Sequence, residues 1–231
     1  MRRKAASNLP QERGRDVREN LTPGQLQAIG AAIVAWNEAE RFIPVILGQA
    51  IGMSIKHYQE VSSRINGLEG QVEIIRKFQV LYPLIDKETG LLIENALASF
   101  LGYKKCRDAI AHAHIFNAPK GIGTHVKRRA EEWHVLLTEE ALNKFYDHLV
   151  LLRSELAGVT GIFMTASITA RKMEELPNRK VPNKIHESIQ VFVRHLQKYQ
   201  SERQALGSLP SCPDLSIPFP NIEELDSLVK D

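Results

Sequence analysis

The chain has 231 residues, of which 43% are hydrophobic and 25% charged, and its formal net charge is +3. This is the composition of an ordinary globular protein that can bury a hydrophobic core. The small positive charge permits contact with nucleic acid but does not require it. The two cysteines, Cys106 and Cys212, lie far apart. Their separation argues against a disulfide scaffold and favours a reducing compartment.

No targeting or membrane segment is expected. The first twenty residues are polar and basic, without the apolar stretch of a secretory signal. The most apolar window, residues 42–53, is interrupted by Pro44 and Gly48 and is too short to span a bilayer. The chain is therefore predicted to be soluble and cytoplasmic.

The first half of the chain predicts helices behind a basic arm. Residues 1–20 lack apolar periodicity and are predicted to be disordered. Thr22 and Pro23 begin a helix that runs to about residue 42 and is interrupted near Pro44, with helical structure resuming over 45–58. A further helix is predicted over 68–81, with Leu81 as the last residue of its apolar face. Another is predicted over 88–114, with Leu91 as the first of its apolar residues.

The second half predicts one small β element between helices. Residues 119–123 are expected to form a loop, and residues 123–126 and 133–137 a β-hairpin. A long helix capped by Thr138 runs to about residue 170, and a last helix covers about 183–206. The predicted fold is mainly all-α, a helical bundle with a small β-hairpin insertion. The predicted divisions are a disordered basic arm at 1–20, the bundle at 21–176, and a linker, C-terminal helix and Pro-rich tail at 177–231.

One helical segment carries residues suited to chemistry. Asp108 precedes His112 by four positions, so the two share a helix face and the carboxylate can orient the imidazole. Arg107 lies roughly 140° from His112 and flanks that face. Lys104 and Lys105 are placed to steer RNA towards the same region. Alanines at 109, 111 and 113 leave a low surface on which a second helix can pack.

A second copy of this helix would complete a site. Across a two-fold axis, two arginines and two histidines would converge in one cleft. A phosphodiester would find a guanidinium for its charge and an imidazole for proton transfer. RNA cleavage without a metal needs little more, because the adjacent 2′-hydroxyl is the nucleophile.

The stretch from Lys104 to His112, read as Arg107, a polar Asp108 and a histidine after four intervening residues, resembles the signature of the HEPN superfamily. This family is an all-helical, often dimeric bundle, and many members are metal-independent ribonucleases in toxin–antitoxin, abortive-infection or RNA-processing systems. The resemblance spans about residues 22–163. It implies that Arg107 and His112 are the catalytic pair and that Asp108 supports them. The implied partners are RNA, a second copy of the chain, and a cognate antitoxin or other protein. No cofactor is implied.

Other interpretations stay open at this stage. Arg107, Asp108 and His112 could instead form a structural cluster in a non-catalytic module that dimerises or binds a partner or nucleotide. Either Glu38 or Glu40 of the first helix could join the site. His114 is expected to cap the end of its helix. His125 and His134 flank the hairpin, but no third ligand has suitable spacing, so no metal site is predicted.

Overall fold

The computed structural model describes residues 21–53, 57, 60, 64–65, 67–112, 114–118, 121–128, 131–136, 138–175 and 180–207. At residue 109 and from 112 to 136 it describes the backbone alone. The basic arm at 1–20 and the Pro-rich tail lie outside the described residues. Within them the protein is a mainly helical bundle with one small antiparallel sheet, which confirms the predicted fold class.

The first two helices begin and break where the sequence predicts. Helix α1 spans Pro23–Glu40, and the Thr22 hydroxyl accepts a hydrogen bond from the Gln25 amide while the Gln25 side chain accepts from the Thr22 amide. This reciprocal cap satisfies two amides that the first helical turn leaves unpaired. Helix α2 spans Phe42–Ala50. Pro44 falls in its first turn, where the missing N–H costs no hydrogen bond, so the break precedes the proline, at Arg41.

Two further helices bring the site segment into the bundle. Helix α3 spans Gly67–Gln79 and helix α4 spans Lys87–His112. Val72 and Ile75 are fully buried on α3, whereas Leu81 lies beyond its end and Leu91 points outward from α4, with exposures of 65% and 62%. The prediction of Leu81 on the core face was wrong, because the helix ends at Gln79. Leu91 was predicted as one of the apolar residues of its helix, and it lies on the side of α4 that faces solvent.

A three-stranded antiparallel sheet follows α4 directly. Strands β1, His114–Ala118, β2, Gly121–Arg128, and β3, Glu131–Leu136, lie in the order β1-β2-β3. The predicted hairpin corresponds to β2 and β3. Strand β1 was not predicted, since the helix was expected to end at about residue 114 and the loop to begin at residue 119. At the tip of the hairpin Lys127 pairs in register with Glu132 and Arg128 with Glu131, so residues of opposite charge occupy paired positions.

The last two helices complete the core. Helix α5 spans Glu139–Glu175, with Thr138 accepting a hydrogen bond from the Ala141 amide, and helix α6 spans Asn183–Ala205. Ile189, Val193 and Leu196 of α6 belong to the same core cluster as the residues of α1 to α5. The segment that the sequence analysis set apart after residue 176 therefore contributes a helix to the bundle.

Aromatic stacking joins the first helix to the site helix. Trp36 of α1 stacks on Phe100 of α4 with ring centroids 4.9 Å apart, and both side chains are fully buried. Such a pair adds about 0.5–1.5 kcal/mol to the free energy gained from the buried area itself. Trp36 is thus a core residue, as its position on the apolar stripe predicts.

A polar network lies inside this apolar core, between α4, α5 and α6. Arg203 donates to both carboxylate oxygens of the fully buried Glu155, at 2.5 and 3.1 Å, and to the Tyr103 hydroxyl at 3.2 Å. That hydroxyl lies 2.8 Å from Nδ1 of His148. Because the Tyr103 oxygen accepts from Arg203, its own proton is available to donate to His148. Burial, and then the positive charges of Arg203 and Lys144, lower the pKa of His148 to about 4.

Among the described helices, α5 is the one long and apolar enough to cross a membrane by length and composition. Its apolar window is 56% buried within the bundle, and it carries the buried Glu155. The core helix of a soluble protein has these properties too. The sequence analysis had taken residues 42–53 as the most apolar window, because the charged ends of α5 hide its apolar middle.

The buried ion pair gives a direct test of what holds the three helices together. Arg203→Met leaves the Glu155 carboxylate buried without its partner, so we expect a loss of about 3–5 kcal/mol in the free energy of unfolding, measured by urea denaturation. Arg153→Met is the matched control, since Arg153 pairs with Glu38 on the surface with both side chains 44% exposed. That change should cost less than about 1 kcal/mol. Equal losses would show that burial does not set the strength of these pairs.

The depressed pKa of His148 makes stability depend on pH. The unfolded state binds a proton near pH 6.5 and the folded state only near pH 4, so stability falls as the pH drops below 6.5. Between pH 7 and pH 5 the contribution of His148 amounts to about 2 kcal/mol. We expect His148→Gln to remove that part of the pH dependence in denaturation curves. Parallel pH profiles for the two proteins would contradict this assignment.

Candidate functional site

The last two turns of α4 carry the predicted site residues. Lys104, Arg107 and Asp108 all lie in this helix, and His112 is its final residue. The helix thus extends over the whole motif, as the sequence predicts. For His112 the position at the helix end is described and the side chain is not. Lys105 is exposed, on a different side of the helix from the half-buried Lys104 and Asp108.

Asp108 lies between two cations. One of its oxygens accepts from Arg107 Nη1 at 2.9 Å, and the other accepts from Lys104 Nζ at 3.0 Å. Burial opposes ionisation of Asp108, but these hydrogen bonds and charges outweigh it and lower its pKa. Asp108 therefore remains an anion that fixes the Arg107 guanidinium. The role predicted for Asp108 towards His112 involves a side chain outside those that the structure describes.

Lys104 is more enclosed than its predicted role in steering RNA suggests. Its ammonium group also lies 3.0 Å from a carboxylate oxygen of Glu69 on α3, and its side chain is only 16% exposed. Burial disfavours the charged form, yet hydrogen bonds to Asp108 and Glu69 raise its pKa. The ion pairs tie α4 to α3 and offset most of the field that Lys104 would project into solvent.

Arg107 is held between the core and the surface. Its guanidinium lies 5.9 Å from the centre of the Trp36 ring, within the range of a cation–π contact. Its side chain is 26% exposed. Its Nε is buried and has no hydrogen-bond acceptor among the described residues. The tryptophan and Asp108 fix the orientation of the guanidinium group. That group retains N–H donors for a further anion.

A groove of about 500 Å³ opens beside Arg107. Its walls come from α1, the start of α2, α3 and α4, and combine two guanidinium groups, a carboxylate, two amides and two apolar side chains. The lining residues are Asn37, Glu40, Arg41, Pro44, Leu68, Gln71 and Arg107. Arg41 and Asn37 are exposed at its rim. A concave surface with convergent polar groups and cations is suited to a phosphate-bearing ligand.

The lining of the groove distinguishes Glu40 from Glu38, the two carboxylates that the sequence left as alternatives. Glu40 lines it and accepts a hydrogen bond from the Trp36 indole at 2.5 Å. Glu38 instead binds Arg153 of α5. Glu40 is thus the helix-one acid that shares a surface with Arg107.

Several residues of the groove carried no signal in the sequence. Asn37, Arg41 and Gln71 lie 70, 66 and 36 positions before Arg107, and no spacing rule connects them. Only the packing of α1 and α3 against α4 brings them to it.

Among the residues whose side chains are described, no three histidines, cysteines or carboxylates converge as metal ligands would. Comparisons of the chain with protein-family models, with curated proteins and with solved structures each found no match. The groove beside Arg107 is the site that the described geometry offers for function.

Proposed function

We propose that the protein is a metal-independent endoribonuclease of the HEPN type that acts as a homodimer. The observation that carries the proposal is Arg107, a partly exposed guanidinium fixed by Trp36 and Asp108 at the edge of a polar groove. Catalysis by charge stabilisation needs such a preorganised donor. RNA is the substrate, and a cytoplasmic location and a cognate antitoxin accompany this proposal.

In this mechanism Arg107 binds the scissile phosphate and stabilises the negative charge that develops on its oxygens. His112 accepts the proton of the 2′-hydroxyl, whose oxygen forms a new bond to phosphorus. The bond from phosphorus to the 5′-oxygen breaks, and the partner's His112 protonates that oxygen. The reaction needs no external nucleophile, since the 2′-hydroxyl is adjacent to the phosphate.

The proposal is tested by cleavage of single-stranded RNA in EDTA. We expect the wild type to cleave, and Arg107→Ala and His112→Ala to lose at least about 100-fold in rate, as removal of a charge-stabilising or proton-transfer group does elsewhere. Lys105→Ala changes an exposed cation of the same helix and serves as the matched control, with a loss of a few-fold at low salt. Equal cleavage by all four proteins would remove the assignment.

The position of Glu40 in the groove leads to a second test. Glu40→Gln keeps the shape of the side chain and an acceptor for the Trp36 indole but removes the charge beside Arg107. We expect an altered cleavage rate and a changed pH profile. Glu38→Gln, two residues earlier on the same helix and paired with Arg153, should behave like the wild type. Matching profiles for both variants would exclude Glu40 from the reaction.

One observation favours a second function, a non-catalytic module that dimerises or binds a partner or a nucleotide. Asp108 and Glu69 already pair with Lys104, and Asp108 pairs with Arg107, as in a purely structural cluster. This function predicts no RNA cleavage by the wild type. It also predicts that Arg107→Ala weakens self-association, which sedimentation at a series of protein concentrations measures.

A further inference from the structure

The register of the sheet aligns three histidines that are distant in sequence. His114 of β1 pairs with His125 of β2, and His125 pairs with His134 of β3. Residues directly opposite each other in antiparallel strands belong to the same face of the sheet. The three histidines therefore form one row across all three strands. Three of the eight histidines of the chain stand in this single row.

Both faces of the sheet are mixed in composition. The positions opposite the histidines comprise five apolar residues, among them Ile122 and Trp133, and four polar ones, among them Arg128 and Glu131. The histidine face carries the Lys127–Glu132 pair together with the apolar Phe116 and Leu136. Polarity therefore does not separate the two faces, and the row of three histidines is what distinguishes one of them.

The spacing of the row fits one metal ion. Paired Cα atoms of antiparallel strands are about 4.5–5.5 Å apart, so His114 and His134 are about 10 Å apart, with His125 between them. Two imidazoles can meet over such a gap, because each metal–nitrogen bond adds about 2 Å to the reach of the side chain. Neutral imidazole is a favoured ligand of zinc, copper and nickel.

We propose that His114, His125 and His134 bind a single divalent transition-metal ion, of which Zn²⁺ is the probe of choice. Three protein ligands leave one position of a tetrahedral zinc ion for water or another ligand. The ion would connect β1 to β3 through β2 and fix the chain where α4 ends, since β1 begins two residues after His112. This site is separate from the RNA-cleavage proposal and does not depend on it.

The test is zinc binding by the full chain, without an affinity tag and stripped of metal, measured by isothermal titration calorimetry. We expect one ion per chain. His114→Gln, His125→Gln and His134→Gln should each weaken binding by at least about 100-fold, since loss of a group that merely orients a ligand costs 10–100-fold. His186→Gln, an exposed histidine of α6, is the matched control and should bind like the wild type. Absence of binding by the wild type, or unchanged binding by the triple variant, overturns the proposal.

X-ray absorption of the zinc-loaded wild type keeps the proposal testable if a variant does not fold. Three imidazole nitrogens at about 2.0 Å are expected. Two or fewer would overturn it. Neither measurement uses activity, so failure of the ribonuclease proposal and failure of this one are distinguishable.

Discussion

The structure depends on burial of the Glu155–Arg203 ion pair at the junction of α4, α5 and α6. Glu155 is fully buried, and burial raises its pKa, while the hydrogen bonds and charge of Arg203 oppose that shift. Two charges removed from water are stable only when their hydrogen bonds are satisfied. Arg203 meets that condition with both oxygens of Glu155 and with Tyr103, and Gln200 adds a bond from α6 to the Leu92 carbonyl of α4. The pair thereby fixes how α6 and α5 pack against the site helix.

Helix α4 connects the buried ion pair to the groove. Tyr103 accepts from Arg203 on the core side, and one turn further along the same helix Arg107 lies over Trp36. Trp36 in turn stacks on Phe100 and donates to Glu40. A rigid helix thus holds the guanidinium at a defined place, which a site that stabilises developing charge requires. Tyr103 and Arg107 lie four positions apart and so on the same side of this helix, where the buried network and the groove follow each other along its length.

The sequence predicts the helices well because their caps and apolar periods are local. Thr22 and Thr138 begin helices as N-caps, and the two segments 123–126 and 133–137, on either side of a charged stretch, indicate a hairpin. Strand β1 was missed because it follows α4 after one residue, with alanines and His114 continuing the helical pattern. That error also hid the third histidine of the row, since register across strands is not visible in a single chain segment. The groove residues Asn37, Arg41 and Gln71 likewise depend on tertiary packing.

The central claim is that Arg107 and His112 promote attack of the 2′-hydroxyl on the neighbouring phosphate. The chemical ends of the RNA products test it most directly. The account predicts a 2′,3′-cyclic phosphate and a 5′-hydroxyl, and no cleavage at a site whose 2′-hydroxyl is replaced by hydrogen. Products with a 3′-hydroxyl and a 5′-phosphate, formed equally well at the 2′-deoxy site, would contradict it.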